Sequence, residues 1–362
     1  MKKTIINTKE KRPVAILVGA SFESKEIIEE NLEELAGLAD TAGIEVVGTM
    51  IQSLHETTAA TYIGSGKTEE LHELVKNNNA DMVIFDEELI GSQINNLEEI
   101  LEVKVLDRSI LILDIFAGRA KSTEGKLQVE LAQLKYNLPR INALSGSSGR
   151  FGGGGIGMRG PGETKLEMNK RIIKDKIVFL QKQIKKLGEQ RQLLRTKRQK
   201  AGEKTVAIVG YTNVGKSTLL NKLVKADVYA DDKLFATLDT TTRKLFIDYG
   251  KQILFTDTVG FINKLPHGFI EAFKATLEEA LSADLILQIV DCSDKHFEKH
   301  MAVTSEVLQS IGAGNIPMMI VYNKIDNCNQ KERLNPNILQ ISAKKGTGID
   351  ELKQTISSKL FN

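Results

Sequence analysis

The residues of this sequence with the clearest chemistry form a glycine-framed loop that ends in Lys216 and Ser217. An apolar run over residues 205–209 precedes the loop and a helical pattern follows it. This is the spacing of a phosphate-binding P-loop, in which backbone N–H groups face phosphates, the lysine reaches the β- and γ-phosphates and the hydroxyl ligates Mg²⁺. A chance match in a glycine-containing turn is the alternative interpretation. The predicted loop comprises Gly210, Tyr211, Thr212, Asn213, Val214, Gly215, Lys216, Ser217 and Thr218.

A second motif, from Asp257 to Gly260, argues against a chance match. Asp257 ends an apolar strand pattern, so its carboxylate is expected near the metal ion. Gly260 leaves room for a backbone N–H to approach the γ-phosphate. The residues of this motif are Asp257, Thr258, Val259 and Gly260.

Two later motifs predict that the bound base is guanine. Asp326 follows the apolar run 318–321 and can accept hydrogen bonds from guanine N1–H and the 2-amino group, a pair of donors that adenine lacks. The backbone N–H of Ala343 can meet the guanine oxygen. The sequence therefore predicts GTP as substrate and GDP as product. These motifs comprise Asn323, Lys324, Asp326, Ser342, Ala343 and Lys344.

The catalytic apparatus lacks one part. Phe261 stands where Ras-like GTPases place the glutamine that orients the attacking water, and a phenyl ring cannot do so. We expect slow intrinsic hydrolysis, raised by a partner or by K⁺, with Asn213 as the candidate ligand of that cation. Residues 234–243 occupy the place of switch I. We choose Thr237 there as a Mg²⁺ ligand, and the neighbouring threonines remain alternatives.

The composition favours a globular protein of two or three domains. The chain has 362 residues, 41% of them hydrophobic and 27% charged, and its two cysteines suggest neither a disulfide framework nor a metal site. No apolar run reaches the roughly 18 residues of a membrane span, and no apolar segment follows the basic start. We therefore expect a reduced cytoplasmic protein without a membrane span.

Strand and helix patterns alternate at both ends of the chain and predict an α/β fold in three parts. Residues 1–139 should form a small α/β domain with a parallel sheet and a linker helix that Pro139 stops. Residues 140–204 should form a glycine-rich loop and a basic helical hairpin or paired helices, with breaks at Gly188 and Gly202. Residues 205–362 should form a doubly wound P-loop GTPase domain. Strands are predicted at 14–19, 44–51, 81–85, 205–209, 244–248, 252–257, 285–291, 318–322 and 338–341.

The charge is distributed unevenly although its net value is only +2. Residues 140–204 hold 17 Lys and Arg against 5 Asp and Glu, whereas residues 1–139 hold 14 against 24. A basic segment of this kind suits contact with an RNA backbone. A solvated helical face is the alternative, since most runs of charge are of that kind.

Beyond the nucleotide motifs, the chain resembles the HflX family of translation-factor-related GTPases over essentially its full length. Thr240 and residues 263–264 depart from the pattern of that family. The segments that carry the resemblance are residues 62–71, 111–117, 124–134, 153–164, 235–239 and 257–262.

The resemblance implies binding to the large ribosomal subunit, which would stimulate GTP hydrolysis, and separation of idle or stalled 70S ribosomes. We further expect Mg²⁺ as cofactor, a monomer, and a cytoplasmic location at ribosomes or peripherally at a membrane. Two other functions remain open: a GTP switch that recruits a protein partner through the acidic N-terminal domain, and an enzyme whose N-terminal domain acts on a nucleotide of its own.

The motifs and the resemblance together define a set of site residues. Lys216, Gly260 and Thr237 are the predicted catalytic residues, and Ser217, Thr237 and Asp257 are the predicted metal ligands. In addition to the four motifs above, the predicted nucleotide contacts include Phe235, Ala236, Thr237 and Leu238.

Overall fold

A computed structural model describes residues 12–147, 161–224, 234–235, 241–248, 251–264, 279–329 and 331–361. The chain divides into two compact units. The first contains Met1–Ile115 and Asn137–Lys170, and the second contains Phe116–Tyr136 and Arg171–Asn362.

The first unit contains a four-stranded parallel sheet with the order β2-β1-β3-β4. Helices connect successive strands, as parallel pairing requires. The sheet is built on apolar strands, and Ile16, Val83 and Phe85 are fully buried in its core. The elements are β1 Val14–Ser21, α1 Lys25–Thr41, β2 Glu45–Ser53, α2 Ser65–Asn78, β3 Met82–Phe85, α3 Gly91–Leu101, β4 Lys104–Asp107 and the start of α4, Arg108–Arg119.

A buried arginine closes the carboxyl edge of this sheet. Arg108, only 2% exposed, pairs with Asp86 at 2.6 Å and also with Glu34. Burial lowers the pKa of the guanidinium, but the two carboxylates outweigh it and the pKa is raised. The arginine therefore stays charged, and its ion pairs join β3, α1 and α4.

Long helices connect the two sheets, and two predictions about them are wrong. Pro139 lies inside α5, Thr123–Ser147, and Gly188 lies inside α6, Pro161–Lys200. The proline removes one backbone hydrogen bond, yet α5 continues, and the next residue, Arg140, is anchored by a hydrogen bond to the carbonyl of Leu89 at 2.7 Å. A glycine costs a helix only about 1 kcal/mol relative to alanine, which is too little to break a helix of this length.

The predicted break at Gly202 is confirmed. Gly202 has φ +70°, and the turn closes with N–H groups of Ala201 and Glu203 donating to the carbonyls of Lys197 and Arg198. This is the Schellman pattern of a helix end.

In the second unit, α5 and α6 lie side by side. Glu130 pairs with Lys176 at 2.5 Å and Glu124 pairs with Arg191 at 2.9 Å. The contacting residues Glu124 and Glu130 belong to the part predicted as 1–139, and the basic segment over 161–200 is itself one helix, so the prediction of a hairpin or paired helices within residues 140–204 is wrong. A hairpin within α6 is absent from its described residues 161–200.

The second unit also contains a six-stranded sheet with the order β10-β9-β8-β5-β7-β6. All neighbours are parallel except β6, which runs antiparallel to β7 at the edge. Strand β5 is central, and its residues Val206 to Val209 are almost completely buried. The elements are β5 Lys204–Gly210, α7 Lys216–Val224, β6 Thr241–Asp248, β7 Lys251–Asp257, β8 Leu285–Asp291, α8 Phe297–Ser310, β9 Met318–Asn323, β10 Leu339–Gln340 and α9 Ile349–Phe361.

These observations confirm the predicted α/β class, with a parallel N-terminal sheet and a P-loop sheet joined by helices. Each predicted strand occurs to within about three residues, and β4 was missed. Among the described residues, no helix combines the length and apolar character needed to cross a membrane.

Candidate functional site

The P-loop begins where β5 ends, and two of its glycines are required by the backbone. Gly210 has φ +151° and Gly215 has φ +92°. A Cβ atom at Gly210 would lie 2.3 Å from the carbonyl oxygen of Ile289, and one at Gly215 would lie 2.6 Å from Nδ2 of Asn323. The glycines therefore let the loop pass close to β8 and β9 before α7 begins at Lys216.

Lys216 is buried, and its ammonium group is held by the loop itself. Nζ donates to the carbonyl of Tyr211 at 2.7 Å and to that of Gly210 at 3.1 Å. Burial lowers the pKa of Lys216 to about 8, and the nearby negative charge of Asp257 opposes the shift. A phosphate group at this position would favour the charged form, because its negative charge would add to that of Asp257.

Ser217 and Asp257 place two oxygen atoms that could bind a metal ion close together. The Ser217 hydroxyl donates to Oδ2 of Asp257 at 2.6 Å, and the Asp257 side chain is fully buried. Hydroxyl and carboxylate oxygens are ligands that suit Mg²⁺, so these two predicted ligands converge on one point. The third predicted ligand, Thr237, lies outside the described residues.

Gly260 packs directly against the P-loop. A Cβ atom at this position would lie 2.9 Å from Nζ of Lys216 and 2.9 Å from Cα of Thr212. Thr258, two residues earlier, is held against β5 because its hydroxyl donates to the Ile208 carbonyl at 2.8 Å. The backbone of Gly260 is therefore close to the place where Lys216 would meet a γ-phosphate.

The backbone of Phe261 is fixed by hydrogen bonds, and its side chain is buried. Its N–H donates to the Gly210 carbonyl at 3.1 Å, and its carbonyl accepts from the N–H of Thr212 at 2.7 Å. The side chain is 2% exposed. The phenyl ring thus belongs to the core, and the residue neither points toward solvent nor carries a group that could orient water.

Tyr211 makes a further link that the sequence did not predict. Its hydroxyl accepts a hydrogen bond from the N–H of Asn263 at 2.7 Å. Its ring stacks on that of His300, with centroids 3.8 Å apart and planes inclined by 10°. Tyr211 therefore joins the P-loop to the segment after Gly260, and α8 supports it through His300.

On the predicted base-binding side, Asn323 acts as a brace. Its Nδ2 donates to the carbonyl of Val214 at 2.8 Å, and its Oδ1 accepts from the N–H of Ala343 at 2.9 Å. In this structure the N–H of Ala343, predicted to meet guanine, therefore serves Asn323. Its contact with the base remains a prediction.

The neighbouring polar residues are also ordered by contacts. Lys324 pairs with Asp291 at 2.7 Å and has φ +62°. Ser342 lowers the pKa of Asp326 by a side-chain hydrogen bond, with smaller contributions from its own backbone and from Lys345. Asp326 is therefore an ionised acceptor at neutral pH, as recognition of two guanine N–H donors requires.

Of the predicted switch I contacts, the structure describes Phe235. Its side chain is buried, and its ring packs edge-to-face on Phe116 with centroids 4.7 Å apart. The ring thus contacts an aromatic residue of α4. Ala236, Thr237 and Leu238 lie outside the described residues.

The structure brings the P-loop, the Asp257–Gly260 segment and the Asn323–Ala343 brace together at the carboxyl ends of the central strands. This is where doubly wound sheets bind ligands. Sequence reasoning missed the structural role of Asn323 and the contribution of His300. No spacing rule predicts that the Asn323 side chain bridges two loops, and His300 lies in no sequence motif.

Family comparisons cover most of the chain. Residues 29–117 match the family described as GTP-binding GTPase N-terminal, and residues 119–198 match GTP-binding GTPase Middle Region. Residues 205–324 match the family described as 50S ribosome-binding GTPase.

Individual proteins match over similar lengths. GTPase HflX of Caldanaerobacter subterraneus subsp. tengcongensis is 52% identical over 333 residues, covering 92% of this chain and 78% of that protein. GTPase HflX of Escherichia coli is 42% identical over 354 residues, covering 96% and 82%. The solved structure of the SsGBP and GDP complex aligns with a TM-score of 0.52 and 25% identity, covering 96% of this chain and 98% of that one.

Proposed function

Because this chain belongs to the HflX family of GTPases and is a GTP hydrolase, we propose that its hydrolysis serves binding to the large ribosomal subunit. We further propose that GTP-dependent binding promotes dissociation of idle or stalled 70S ribosomes. The matched relatives carry the GTPase name, and the family matched by residues 205–324 is described as ribosome-binding.

The exposed basic surface of α6 is the observation that most directly supports a ribosomal partner. This helix ends at Lys200, and β5, which leads into the P-loop, starts at Lys204. A cationic helix suits the phosphate backbone of RNA, whereas few protein surfaces offer such a density of negative charge. Among the side chains of α6 that the structure describes, the exposed basic residues are Arg171, Lys174, Lys176, Lys182, Lys185, Lys186, Lys197 and Lys200.

In the proposed nucleotide site, Lys216 and the P-loop N–H groups hold the phosphates. Ser217, Asp257 and Thr237 would hold Mg²⁺, which neutralises charge on the β- and γ-phosphate oxygens when bound. The N–H of Gly260 would contact the γ-phosphate, and Asp326 would select guanine. The proposed boundaries of the three parts of the chain are 1–139, 140–204 and 205–362.

Hydrolysis needs help from outside this set of residues. Phe261 is buried and cannot orient water, so we propose that a ribosomal group completes the site. K⁺ is a second source of the missing positive charge, with Asn213 as its proposed ligand. Asn213 is exposed at the loop and has φ +59°.

Co-sedimentation with purified 50S subunits tests the proposed partner. The protein with a non-hydrolysable GTP analogue should pellet with 50S at low salt, and adding 50S should raise GTP turnover. Neutralising Lys182, Lys185 and Lys186 to Gln should weaken binding and reduce the slope of log K against log salt by about 1 for each phosphate that the variant no longer neutralises. A control triple at exposed Lys25, Lys76 and Lys359 carries the same charge change elsewhere.

If the protein stays in the supernatant at low salt, or if the two triple variants bind equally, the ribosomal proposal is wrong. Light scattering of 70S particles after addition of protein and GTP then tests dissociation separately. Binding to 50S without a fall in scattering would support the proposed binding and contradict the proposed dissociation of 70S ribosomes.

A switch that recruits a protein partner is the second candidate. It is favoured by exposed apolar side chains beside the sheet of the first unit, where Phe22 is 63% and Ile90 is 59% exposed. Crosslinking of the protein in its GDP and GTP-analogue forms would identify such a partner. The cytoplasmic location and the monomeric state stay predictions, as does a nucleotide site in the N-terminal part.

A further inference from the structure

Tyr211 occupies a central position between the P-loop and the segment that follows Gly260. Its carbonyl accepts from Nζ of Lys216 at 2.7 Å, and its hydroxyl accepts from the N–H of Asn263 at 2.7 Å. On either side of it, the Gly210 carbonyl accepts from the N–H of Phe261, and the N–H of Thr212 donates to the Phe261 carbonyl. One residue thus contacts the phosphate-binding lysine at one end and the segment carrying Gly260 at the other.

The tyrosine ring does not hold this position alone. His300 of α8 covers one face of the ring at 3.8 Å in a nearly parallel stack. The imidazole is itself held, since Nδ1 lies 3.6 Å from Oδ2 of Asp294, and its side chain is 20% exposed. A flat ring packed at this distance restricts the rotation of the phenol and hence the position of its hydroxyl.

We propose that His300 is a positioning residue for GTP hydrolysis: by stacking on Tyr211 it fixes the hydroxyl that holds Asn263, and so keeps Gly260 beside Lys216. His300 touches neither nucleotide nor metal in this proposal and acts through the tyrosine. The inference rests on the proposed nucleotide site, and it is independent of the proposed ribosomal partner.

The direction of the effect follows from what Gly260 contacts. Its backbone already packs against Lys216 and Thr212, so the described arrangement has Gly260 in place for a γ-phosphate. Loosening Tyr211 lets this segment move away, which weakens an interaction made only with the γ-phosphate. GDP has no γ-phosphate, so its affinity should be insensitive to the same change.

The test combines single and double variants in single-turnover GTP hydrolysis without ribosomes. His300→Leu keeps apolar volume but removes the flat ring, and His300→Phe keeps a ring that can stack. Tyr211→Phe removes only the hydroxyl that accepts from Asn263. Fluorescent GDP titrations and thermal melting of each variant report nucleotide affinity and folding.

We expect His300→Leu to slow hydrolysis about two- to tenfold, the range of a lost aromatic pair, with GDP affinity changed less than about twofold. His300→Phe should retain most of the wild-type rate. In a Tyr211→Phe background, His300→Leu should add little, because the hydroxyl through which it acts is already absent.

Three results would overturn the inference while leaving the proposed nucleotide site intact. One is a wild-type rate in His300→Leu, and another is an equal loss from His300→Leu in both Tyr211 backgrounds. The third is a loss of GDP affinity as large as the loss of rate, which would mean a purely structural role. Failure of the wild-type protein itself to bind GDP would overturn the proposed nucleotide site, and the inference with it.

Discussion

The side-chain amide of Asn323 donates to the main-chain carbonyl of Val214 at 2.8 Å, across 109 positions of sequence. Its oxygen accepts from Ala343 on the other side. The same side chain lies against Gly215, where a Cβ atom would come within 2.6 Å of it. One buried amide therefore sets the spacing between the phosphate-binding loop and the loop proposed to bind guanine.

Asn323→Asp should lower the affinity for GDP about 5- to 150-fold, because the Val214 carbonyl loses its donor and faces a carboxylate instead. Fluorescent GDP titration measures the loss. Asn327→Asp is the matched control. It makes the same chemical change, but at a residue that is exposed on the loop after Asn323. Equal affinities in the two variants would contradict the bracing role.

Nucleotide binding should take up a proton near pH 8. Burial lowers the pKa of Lys216 to about 8, and phosphate should raise it again. Calorimetry at pH 8 in two buffers of different ionisation enthalpy should show an uptake of about half a proton per GDP bound. Affinity should be flat below pH 8 and fall above it. Lys216→Met should abolish the difference between buffers, and its persistence there would assign the proton to another group.

The same shift predicts how stability depends on pH without nucleotide. The pKa of Lys216 in the folded protein lies below the ordinary lysine value of 10.5, so the unfolded chain binds more protons between pH 8 and 10.5. The lysine contribution to the free energy of unfolding should therefore rise with pH across this window, by about 3 kcal/mol in total at 1.36 kcal/mol per pKa unit. Urea denaturation of wild type and Lys216→Met at pH 7.5 and 10 isolates this contribution. An equal change in the free energy of unfolding between the two pH values in both proteins would contradict the prediction.

Ser217→Ala should remove most of the Mg²⁺ dependence of nucleotide binding. The hydroxyl lies 2.6 Å from the Asp257 carboxylate, and its loss leaves that carboxylate with one fewer partner. Hydrogen bonds to charged groups contribute about 1.5–3 kcal/mol, so GDP affinity in Mg²⁺ should fall about 10- to 150-fold. Titrations in Mg²⁺ and in EDTA test this. Ser217→Thr, which keeps a hydroxyl, is the control and should retain the response.

Phe235 and Phe116 should be energetically coupled. Their rings meet edge-to-face at 4.7 Å and both side chains are buried. A double-mutant cycle with Leu at both positions, followed by urea denaturation, should give a coupling of about 0.5–1.5 kcal/mol. Phe22→Leu, at a 63% exposed position, should be nearly neutral. Additive effects of the two core substitutions would mean that the rings contribute only by being buried.

Motif spacing predicted where the candidate-site residues lie in the fold, because local rules govern their positions. A P-loop must follow a strand and start a helix, so Gly210 to Lys216 could be placed from the sequence. Asp257 and Asn323 likewise end strands. Strand β4, Lys104–Asp107, escaped detection because only its two central residues are apolar, whereas the equally short β3, Met82–Phe85, is apolar throughout.

What the sequence could not predict depends on contacts between distant residues. Pro139 and Gly188 are local signals for a helix end, but in this protein the helices continue through both. The stack of His300 on Tyr211 joins residues that share no motif. Phe235 was assigned to the nucleotide by its position in switch I, and only the structure shows its ring against Phe116.

Helix α6 has 40 residues and is therefore about 60 Å long at 1.5 Å per residue. Only Ala201, Gly202 and Glu203 separate its end from β5, and that joint is closed by hydrogen bonds. We expect α6 to act as a lever arm, because its end at Lys200 is attached to the start of β5, the strand that leads into the P-loop. A force applied to its cationic surface would then reach the proposed nucleotide site through the hydrogen-bonded turn at residues 201–203.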